Sequence, residues 1–215
     1  MANPRLADRP RSAIVRVVSP VPIDPREHDA ALVAAVRAGA NGAAARIWDC
    51  YASVSRGILR RMLGPGVDVE DALQEVFLRL FRDLKSLREP TALRSFLIGI
   101  TVHVATSELR RRRARRWLLL SDDGTVPDPE PVMDAHHLEE RRALTALYKV
   151  LDRVDSKRRV VFVLRYVDGL ELSELATVLG CSLATAKRRA ADAANRISLL
   201  AARDPVLSAY VGGTA

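Results

Sequence analysis

Apolar residues recur every three or four positions along most of the chain, which is the spacing of one face of an α-helix. The clearest example lies at about 69–87, where an apolar stripe faces a polar one. Helices are also predicted at about 29–38, 43–63 and 91–116, with glycine or proline between them. The first part of the chain is therefore a block of four predicted helices.

A second helical block follows a break in the pattern. Residues 118–137 contain three prolines, one glycine and five acidic residues, a composition that predicts an extended linker. After it, the apolar spacing predicts helices at about 138–153, 157–167, 171–179 and 183–200. No segment alternates convincingly as a strand does, so we expect an all-α fold of two small helical domains joined by an extended linker.

These boundaries divide the chain into five parts. The proline-rich stretch 1–28 is expected to be a flexible N-terminal arm, to which we assign no function. The first helical domain is expected at 29–117, the acidic linker at 118–137, the second helical domain at 138–202 and a C-terminal tail at 203–215.

Basic residues are concentrated in the two helical blocks. The net charge is +8, with sixteen basic and eight acidic residues at 30–117 and twelve against eight at 138–202, whereas 118–137 has no basic residue. A GC-rich genome would also raise the arginine content, but it would not leave 20 residues without one. An acidic partner such as nucleic acid is therefore the first candidate.

Several classes of protein are disfavoured. No apolar run reaches the roughly 18 residues of a membrane span, and the N-terminus lacks the apolar stretch of a signal peptide. Cys50 and Cys181 show no pairing pattern and are expected to be reduced, so we expect a cytoplasmic protein without direct membrane insertion.

Sites for catalysis or cofactors are not predicted either. The four histidines have no cysteine or carboxylate at metal-ligand spacing, and the Gly64-Pro65-Gly66 stretch lacks the lysine of a phosphate-binding loop. We therefore expect no catalytic residue, no metal, no cofactor and no small-molecule substrate. The histidines are His28, His103, His136 and His137.

The last two predicted helices form a candidate helix-turn-helix. A short amphipathic helix, a turn containing Gly180 and a longer helix follow one another, as in DNA-binding proteins that place the second helix in the major groove. A helical hairpin with a solvated basic face would show the same spacing. The candidate DNA-binding residues on the outer face of the second helix are Thr185, Lys187, Arg188 and Arg189.

The fourth predicted helix ends in a run of arginines. Cations near a helix C-terminus interact favourably with the macrodipole, so a solvated helix end is one interpretation. Six arginines within seven residues repel one another, however, and this favours contact with an anionic partner such as DNA. The residues concerned are Arg110, Arg111, Arg112, Arg113, Arg115 and Arg116.

Two stretches resemble a known family. The sequence DALQEVFLRL at Asp71–Leu80 resembles the second conserved domain of the bacterial sigma-70 family. The sequence GLELSELATVLGCSLATAKRR at Gly169–Arg189 resembles the helix-turn-helix of its fourth domain. Both stretches occur in the family's order with no further domain between them, as in the extracytoplasmic-function (ECF) branch of RNA polymerase sigma factors.

This resemblance implies core RNA polymerase and promoter DNA as partners, with an anti-sigma factor as a further candidate. The helix matching 69–87 would dock its polar face on the polymerase, and the helix matching 94–116 would read and open the minus-ten element. The linker would thread towards the active-site channel, and 138–202 would recognise the minus-thirty-five element. The core-polymerase-binding residues implied are Asp71, Gln74, Glu75, Arg79 and Arg82.

The strand-opening segment departs from the family. Phe96 stands where a tryptophan is usual, His103 where asparagine is common and Ser107 where aspartate is common, while Ala186 replaces a usual valine in the recognition helix. Which residues form the base pocket is therefore left open, as are the promoter sequence and the inducing signal.

Two other classes of protein have related features. A stand-alone helix-turn-helix regulator with a ligand-sensing N-terminal domain would bind a palindrome without polymerase, and the arginine run and acidic linker argue against it. A helical adaptor that binds only protein is disfavoured by the paired basic blocks.

Overall fold

A computed structural model describes the backbone of residues 26–64, 67–119 and 135–211 and the side chains of 29–64, 67–115 and 139–210. Within these ranges the chain is helical, and no strand occurs. The α-helices of the first half are α1 (Arg26–Arg37), α2 (Ala43–Leu63), α3 (Glu70–Asp83) and α4 (Leu93–Leu119). Those of the second half are α5 (Ala135–Asp152), α6 (Ser156–Phe162), α7 (Leu172–Val178), α8 (Leu183–Ala201) and α9 (Ser208–Val211).

Shorter helical turns complete the chain path. The 3-10 turns Leu84–Ser86 and Pro90–Ala92 join α3 to α4, and a π-helical turn at Val163–Val167 continues α6. The sequence had predicted single helices at 69–87 and 157–167. The pattern identified both helical stretches but did not distinguish the tighter or wider turns at their ends.

Helices α2, α3 and α4 enclose the core of the first half. Their apolar stripes meet in a layer of completely buried side chains, and burying each one contributes about 1.5–3 kcal/mol. The ring of Trp48 stacks at a tilt on Phe77 with 4.5 Å between ring centroids. The buried residues include Ile47, Leu59, Leu73, Leu80 and Leu97.

Gly64 ends α2. It has a φ of 93°, which an L-residue rarely adopts, and its N–H donates to the carbonyl of Arg60 at 2.9 Å. An added Cβ at Gly64 would stand 3.2 Å from the ring of Tyr148 in α5, so the second half of the chain packs closely against this turn.

The two halves share a hydrophobic core. The largest buried cluster contains side chains of α2, α3 and α4 together with Val160, Leu164, Leu175, Ala186 and Ala190 of the second half. A smaller cluster joins α5 to α8. The sequence predicted two helical domains, and the all-α fold is confirmed; the side-by-side packing of the halves was not predicted.

The predicted outer boundaries need correction. Helix α1 begins at Arg26, three residues before the expected start, and the rest of the arm lies outside the described residues. The predicted tail begins within packed structure, because Leu207 is 2% exposed and belongs to the smaller cluster. The linker prediction falls mostly on 120–134, which are outside the described residues. Among the described helices, none is long and apolar enough to cross a membrane.

A buried carboxylate connects three helices of the first half. Asp29 in α1 is 3% exposed; it accepts a hydrogen bond from the Tyr51 hydroxyl of α2 and one at 3.3 Å from the backbone N–H of Arg94 in α4. Burial and the bond to Asp29 raise the pKa of Tyr51. The carboxylate therefore satisfies groups that would otherwise be buried without partners.

We expect Asp29→Ala to lower the free energy of unfolding by about 1–3 kcal/mol, because a buried hydroxyl and a backbone donor lose their acceptor. Urea unfolding followed by circular dichroism measures this change. Asp49→Ala, which removes an exposed carboxylate from α2, is the matched control. Equal unfolding midpoints for the two variants would contradict the assigned role of Asp29.

Candidate polymerase and DNA interfaces

The outer face of α3 carries the residues predicted to bind polymerase. The side chains of Asp71, Gln74 and Arg82 are exposed, and those of Glu75 and Arg79 are half-buried. Nε of Arg79 donates to Oε1 of Glu75 at 2.6 Å, an i,i+4 pair along the helix. The structure thus brings all five predicted residues together on the side of α3 that faces away from the core.

Leu78 lies in the middle of this face, and the sequence analysis did not identify it as a functional residue. Its side chain is 66% exposed, although Leu80 two positions later is completely buried. Leu78 is four residues from both Gln74 and Arg82, which places the three side chains in one row along the helix. Its position outside the apolar stripe was the signal that could have identified it.

Ion pairs lie at both ends of α3. The Arg82 guanidinium donates to both carboxylate oxygens of Asp83, at 2.8 and 3.0 Å, and holds the pKa of Asp83 below its usual value. A similar two-bond pair joins Arg56 of α2 to Glu70. These exposed pairs contribute little to stability, and they leave the charges available to a partner.

The arginine run occupies the last turns of α4, but its members have different surroundings. Arg111 and Arg112 both pair with Glu108, at 2.5 and 2.9 Å. Arg110 and Arg115 are exposed and form no ion pair with another described residue. Arg116 lies on the helix, and its side chain is outside the described residues.

Arg113 has a different environment from the rest of the run. Its Nη2 donates to the carbonyls of Asp152 at 3.2 Å and Val154 at 2.8 Å, at the C-terminal end of α5. A guanidinium at that position satisfies carbonyls that the helix leaves unpaired. One predicted DNA-binding arginine therefore also joins the two halves of the chain.

A groove runs along the predicted strand-opening segment of α4. It has a volume of about 590 Å³ and lies between α3 and α4, with α7 forming one wall. Phe96 and His103 line it, and Ser107 does not. Two of the three strand-opening residues that depart from the family pattern are thus brought to one surface. Arg79 and Arg82 of α3 border the same groove.

Helix-capping interactions define the ends of the helix-turn-helix. Glu171 and Glu174 form a capping box at the start of α7. Gly180 turns the chain at a φ of 58°, and the Ser182 hydroxyl caps α8 by accepting from the N–H of Thr185 at 3.2 Å. Thr185 is half-buried and belongs to this cap.

The three basic residues of α8 point in different directions. At 100° per residue, Arg188 lies opposite the buried alanine stripe of the helix, and Lys187 and Arg189 lie on its two flanks. All three are exposed. Arg189 lines a second groove of about 400 Å³ beside Val102 of α4, so it faces the first half of the chain.

Two family models match the sequence of this chain. The profile of Sigma-70 region 2 matches residues 47–115, and that of Sigma-70 region 4 matches 144–197. The chain is 33% identical over 141 residues to the ferric citrate uptake sigma factor FecI of Escherichia coli, across 63% of this chain and 77% of FecI.

Two solved structures have a similar fold. One is CnrH in complex with the cytosolic domain of CnrY, with a TM-score of 0.56 and 23% identity over 80% of this chain and 96% of that one. The other is the sigma factor RpoE of Bartonella quintana in complex with the anti-sigma factor NepR, with a TM-score of 0.51 and 19% identity over 72% and 94% of the two chains.

The helix-turn-helix and the α3–α4 unit thus define a transcription initiation factor. The chain belongs to the ECF branch of the sigma-70 family of RNA polymerase sigma factors. It binds core RNA polymerase, recognises promoter DNA and promotes strand opening at initiation. The family expectation drawn from the two sequence motifs is confirmed.

Proposed function

We propose that three surfaces of this chain divide the work of a sigma factor. The outer face of α3 binds core polymerase, the arginine-rich end of α4 follows the opened promoter strand, and the outer face of α8 reads the upstream promoter element. The observation that carries this proposal is the placement of all three surfaces on the solvent side of one packed helical scaffold.

The polymerase contact combines charge with one apolar group. Asp71, Gln74, Glu75, Arg79 and Arg82 supply polar contacts around Leu78. An exposed leucine surrounded by polar residues resembles the centre of a protein interface, where an apolar anchor is enclosed by a polar rim. Exposed leucines also occur singly on ordinary surfaces, so the argument for Leu78 rests on its central position in this face.

The DNA contacts are of two kinds. Arg110, Arg111, Arg112, Arg113, Arg115 and Arg116 match the charge of a nucleic-acid backbone, which a run of guanidiniums neutralises without reading sequence. Arg188 matches the geometry of base readout, because it projects from the centre of the outer face of α8. Thr185, Lys187 and Arg189 would contribute backbone or flanking contacts.

The two helical parts of the chain would have different roles. Residues 29–117 would form the part that binds polymerase and opens the minus-ten element, and 138–202 the part that recognises the minus-thirty-five element. The chain would have no catalytic activity of its own. An anti-sigma factor is a candidate partner, supported by the fold that the chain shares with RpoE of Bartonella quintana, which was solved with NepR.

The test is promoter-specific transcription by purified core polymerase with and without this chain. We expect transcripts from a cognate promoter only when the chain is present. Binding of a palindromic site without polymerase, together with no effect on transcription, would instead support a stand-alone regulator.

We expect Arg188→Ala to weaken binding to the upstream element by about 1–3 kcal/mol if its guanidinium reads a guanine edge. Holoenzyme binding to promoter fragments with single base changes measures the effect. Arg188→Ala should lose discrimination at one base position, whereas a phosphate contact would weaken all sequences alike and lower the salt slope by about one.

Arg196→Ala provides the matched control for Arg188→Ala, because Arg196 is an exposed arginine two turns further along α8. Arg189→Ala should cost less than Arg188→Ala, since Arg189 faces α4. Unchanged promoter affinity of Arg188→Ala would refute the assignment of α8 as the reading helix.

A further inference from the structure

Three arginines, two from α4 and one from α6, line the same small cavity. They are Arg110, Arg113 and Arg159, and the cavity lies where the ends of α4 and α5 meet the start of α6. Its volume is about 20 Å³. A single water molecule needs roughly 10–15 Å³, so the cavity admits one oxygen atom and excludes a nucleobase or an apolar metabolite.

Arg159 is the buried member of the three. It is 3% exposed, and its Nη1 donates to Oδ1 of Asp152 at 2.6 Å. Its guanidinium carbon lies 5.9 Å from the centre of the Tyr148 ring. Among the described residues, none accepts a hydrogen bond from its Nε, which is buried. A buried donor without an acceptor opposes folding, and an oxygen atom held in the cavity would relieve that cost.

The two arginines of α4 are exposed and retain donors for a ligand. Arg110 forms no ion pair with another described residue. Arg113 uses one nitrogen, Nη2, for the carbonyls of Asp152 and Val154, and a guanidinium has five N–H donors. Ser156, the first residue of α6, adds a hydroxyl group to the lining of the cavity.

Positive charge exceeds negative charge at this cavity. Three arginines and one aspartate line it, which leaves an excess of two positive charges. Burial lowers the pKa of Arg159; Asp152 opposes this effect, and the neighbouring charge of Arg113 adds to it. Guanidiniums that repel one another favour an anion between them. The excess of two charges matches the charge of a phosphate dianion.

We propose that Arg110, Arg113 and Arg159, together with the hydroxyl of Ser156, form a binding site for one phosphate group. One phosphate oxygen enters the cavity, and the other oxygens accept hydrogen bonds from the two exposed guanidiniums, whose planar forks match phosphate geometry. The phosphate comes either from an inorganic anion in solution or from a nucleic-acid backbone. The site itself is independent of the proposed function; the second source rests on it.

The first test measures binding of inorganic phosphate to the whole chain by isothermal titration calorimetry. Sodium chloride keeps the ionic strength constant, so that general screening of the basic surface does not change during the titration. We expect saturable binding of one phosphate per chain. The unfolding temperature should also rise with phosphate concentration, because the ligand binds the folded state. Absence of saturable binding would overturn the site.

Arg110→Gln removes one exposed guanidinium from the site, and Arg115→Gln is its matched control. Both variants replace an exposed arginine near the end of α4, but only Arg110 lines the cavity. A hydrogen bond to a charged group is stronger than a neutral one, so we expect Arg110→Gln to weaken phosphate binding about tenfold. Arg115→Gln should weaken it by less than about twofold. Equal losses would show general attraction to the arginine run and would overturn the site.

Two further variants test the residues that α6 contributes. Ser156→Ala removes the hydroxyl group and should weaken phosphate binding about fivefold. Arg159→Lys keeps the positive charge but removes the Nε donor and the planar fork, and we expect a loss of about tenfold. Circular dichroism checks that Arg159→Lys is folded; if it is not, Arg110→Gln and Ser156→Ala decide. Unchanged phosphate affinity in Ser156→Ala and in folded Arg159→Lys would overturn the site.

Binding of a single-stranded oligonucleotide distinguishes the two sources of the phosphate. Ser156 is not among the residues proposed to bind DNA, so Ser156→Ala should weaken oligonucleotide binding only if a backbone phosphate occupies the site. Equal losses for inorganic phosphate and oligonucleotide would assign the backbone as the source, and a loss for inorganic phosphate alone would assign a free anion. Failure of the proposed function would appear separately, as absence of promoter-specific transcription with core polymerase.

Discussion

Core polymerase loaded with a chain in which Arg112, Arg113, Arg115 and Arg116 are replaced by glutamine should bind a promoter but fail to open it. A single strand is flexible and densely charged, and guanidiniums that follow its backbone release counterions. The loss of four such contacts should lower the slope of the salt dependence of single-strand binding by about 3. Core binding should be unchanged, because we propose that α3 carries that contact.

Permanganate footprinting of unpaired thymines measures the opening. A template with a pre-melted bubble should restore initiation in part, since strand separation is then supplied in advance. A quadruple replacement of exposed arginines elsewhere, at Arg46, Arg88, Arg196 and Arg203, makes the same charge change and should leave opening intact. Normal promoter opening by the variant of the arginine run would show that the run is a solvated helix end.

Arg113 requires a separate variant, because it also contacts the carbonyls of Asp152 and Val154. Arg113→Gln alone should loosen the contact between α4 and the end of α5 without abolishing opening. Comparison of the single and quadruple variants separates the contribution of DNA contact from that of contact between the halves.

The second large effect is expected on α3. Gln74→Lys/Glu75→Lys should weaken binding to core polymerase by about 30-fold, because replacing hot-spot residues near the centre of an interface costs about 2 kcal/mol or more. Replacing Glu75 also places a lysine beside Arg79, its partner at 2.6 Å. The free energy of unfolding should change by no more than about 0.5 kcal/mol, since the face is exposed.

This affinity is measured by competition: each unlabelled variant displaces the fluorescently labelled, unsubstituted chain from its complex with core polymerase. Leu78→Ala should also weaken binding, without any change of charge. Asp49→Lys, on the exposed side of α2, is the control for added positive charge. If the double variant competes as well as the unsubstituted chain, α3 does not carry the polymerase contact.

The spacing of apolar residues along the sequence was sufficient to predict the helices and their outer faces. The limits of α2 and α8 followed from glycines and from the three-four spacing of apolar residues, which report the environment of a single helix. The same spacing identified the outer face of α3, and a seven-residue run identified the basic end of α4. Features of this kind are encoded within a few turns of chain.

Contacts between residues that are far apart in the sequence could not be predicted from this spacing. Arg94 of α4 forms an ion pair with Glu174 of α7, although the two residues are 80 positions apart. In the sequence each is an ordinary polar residue of an amphipathic helix. Arg113 likewise has no feature in the sequence that separates it from the other arginines of the run, and only its hydrogen bonds to the carbonyls of Asp152 and Val154 distinguish it. Leu78 was not predicted to be functional, because the periodicity argument used only the apolar residues within the stripe at 69–87, and Leu78 lies outside that stripe.

If Arg113 binds a promoter phosphate, as we propose, it makes recognition of the two promoter elements thermodynamically interdependent. Its guanidinium can be held by the carbonyls at the end of α5 or by a phosphate near the melted region. Whatever draws the second half away frees Arg113, and by linkage the two binding events must strengthen each other by the same factor. A strong upstream element should therefore compensate for a weak downstream one, and this cooperativity should shrink in Arg113→Gln.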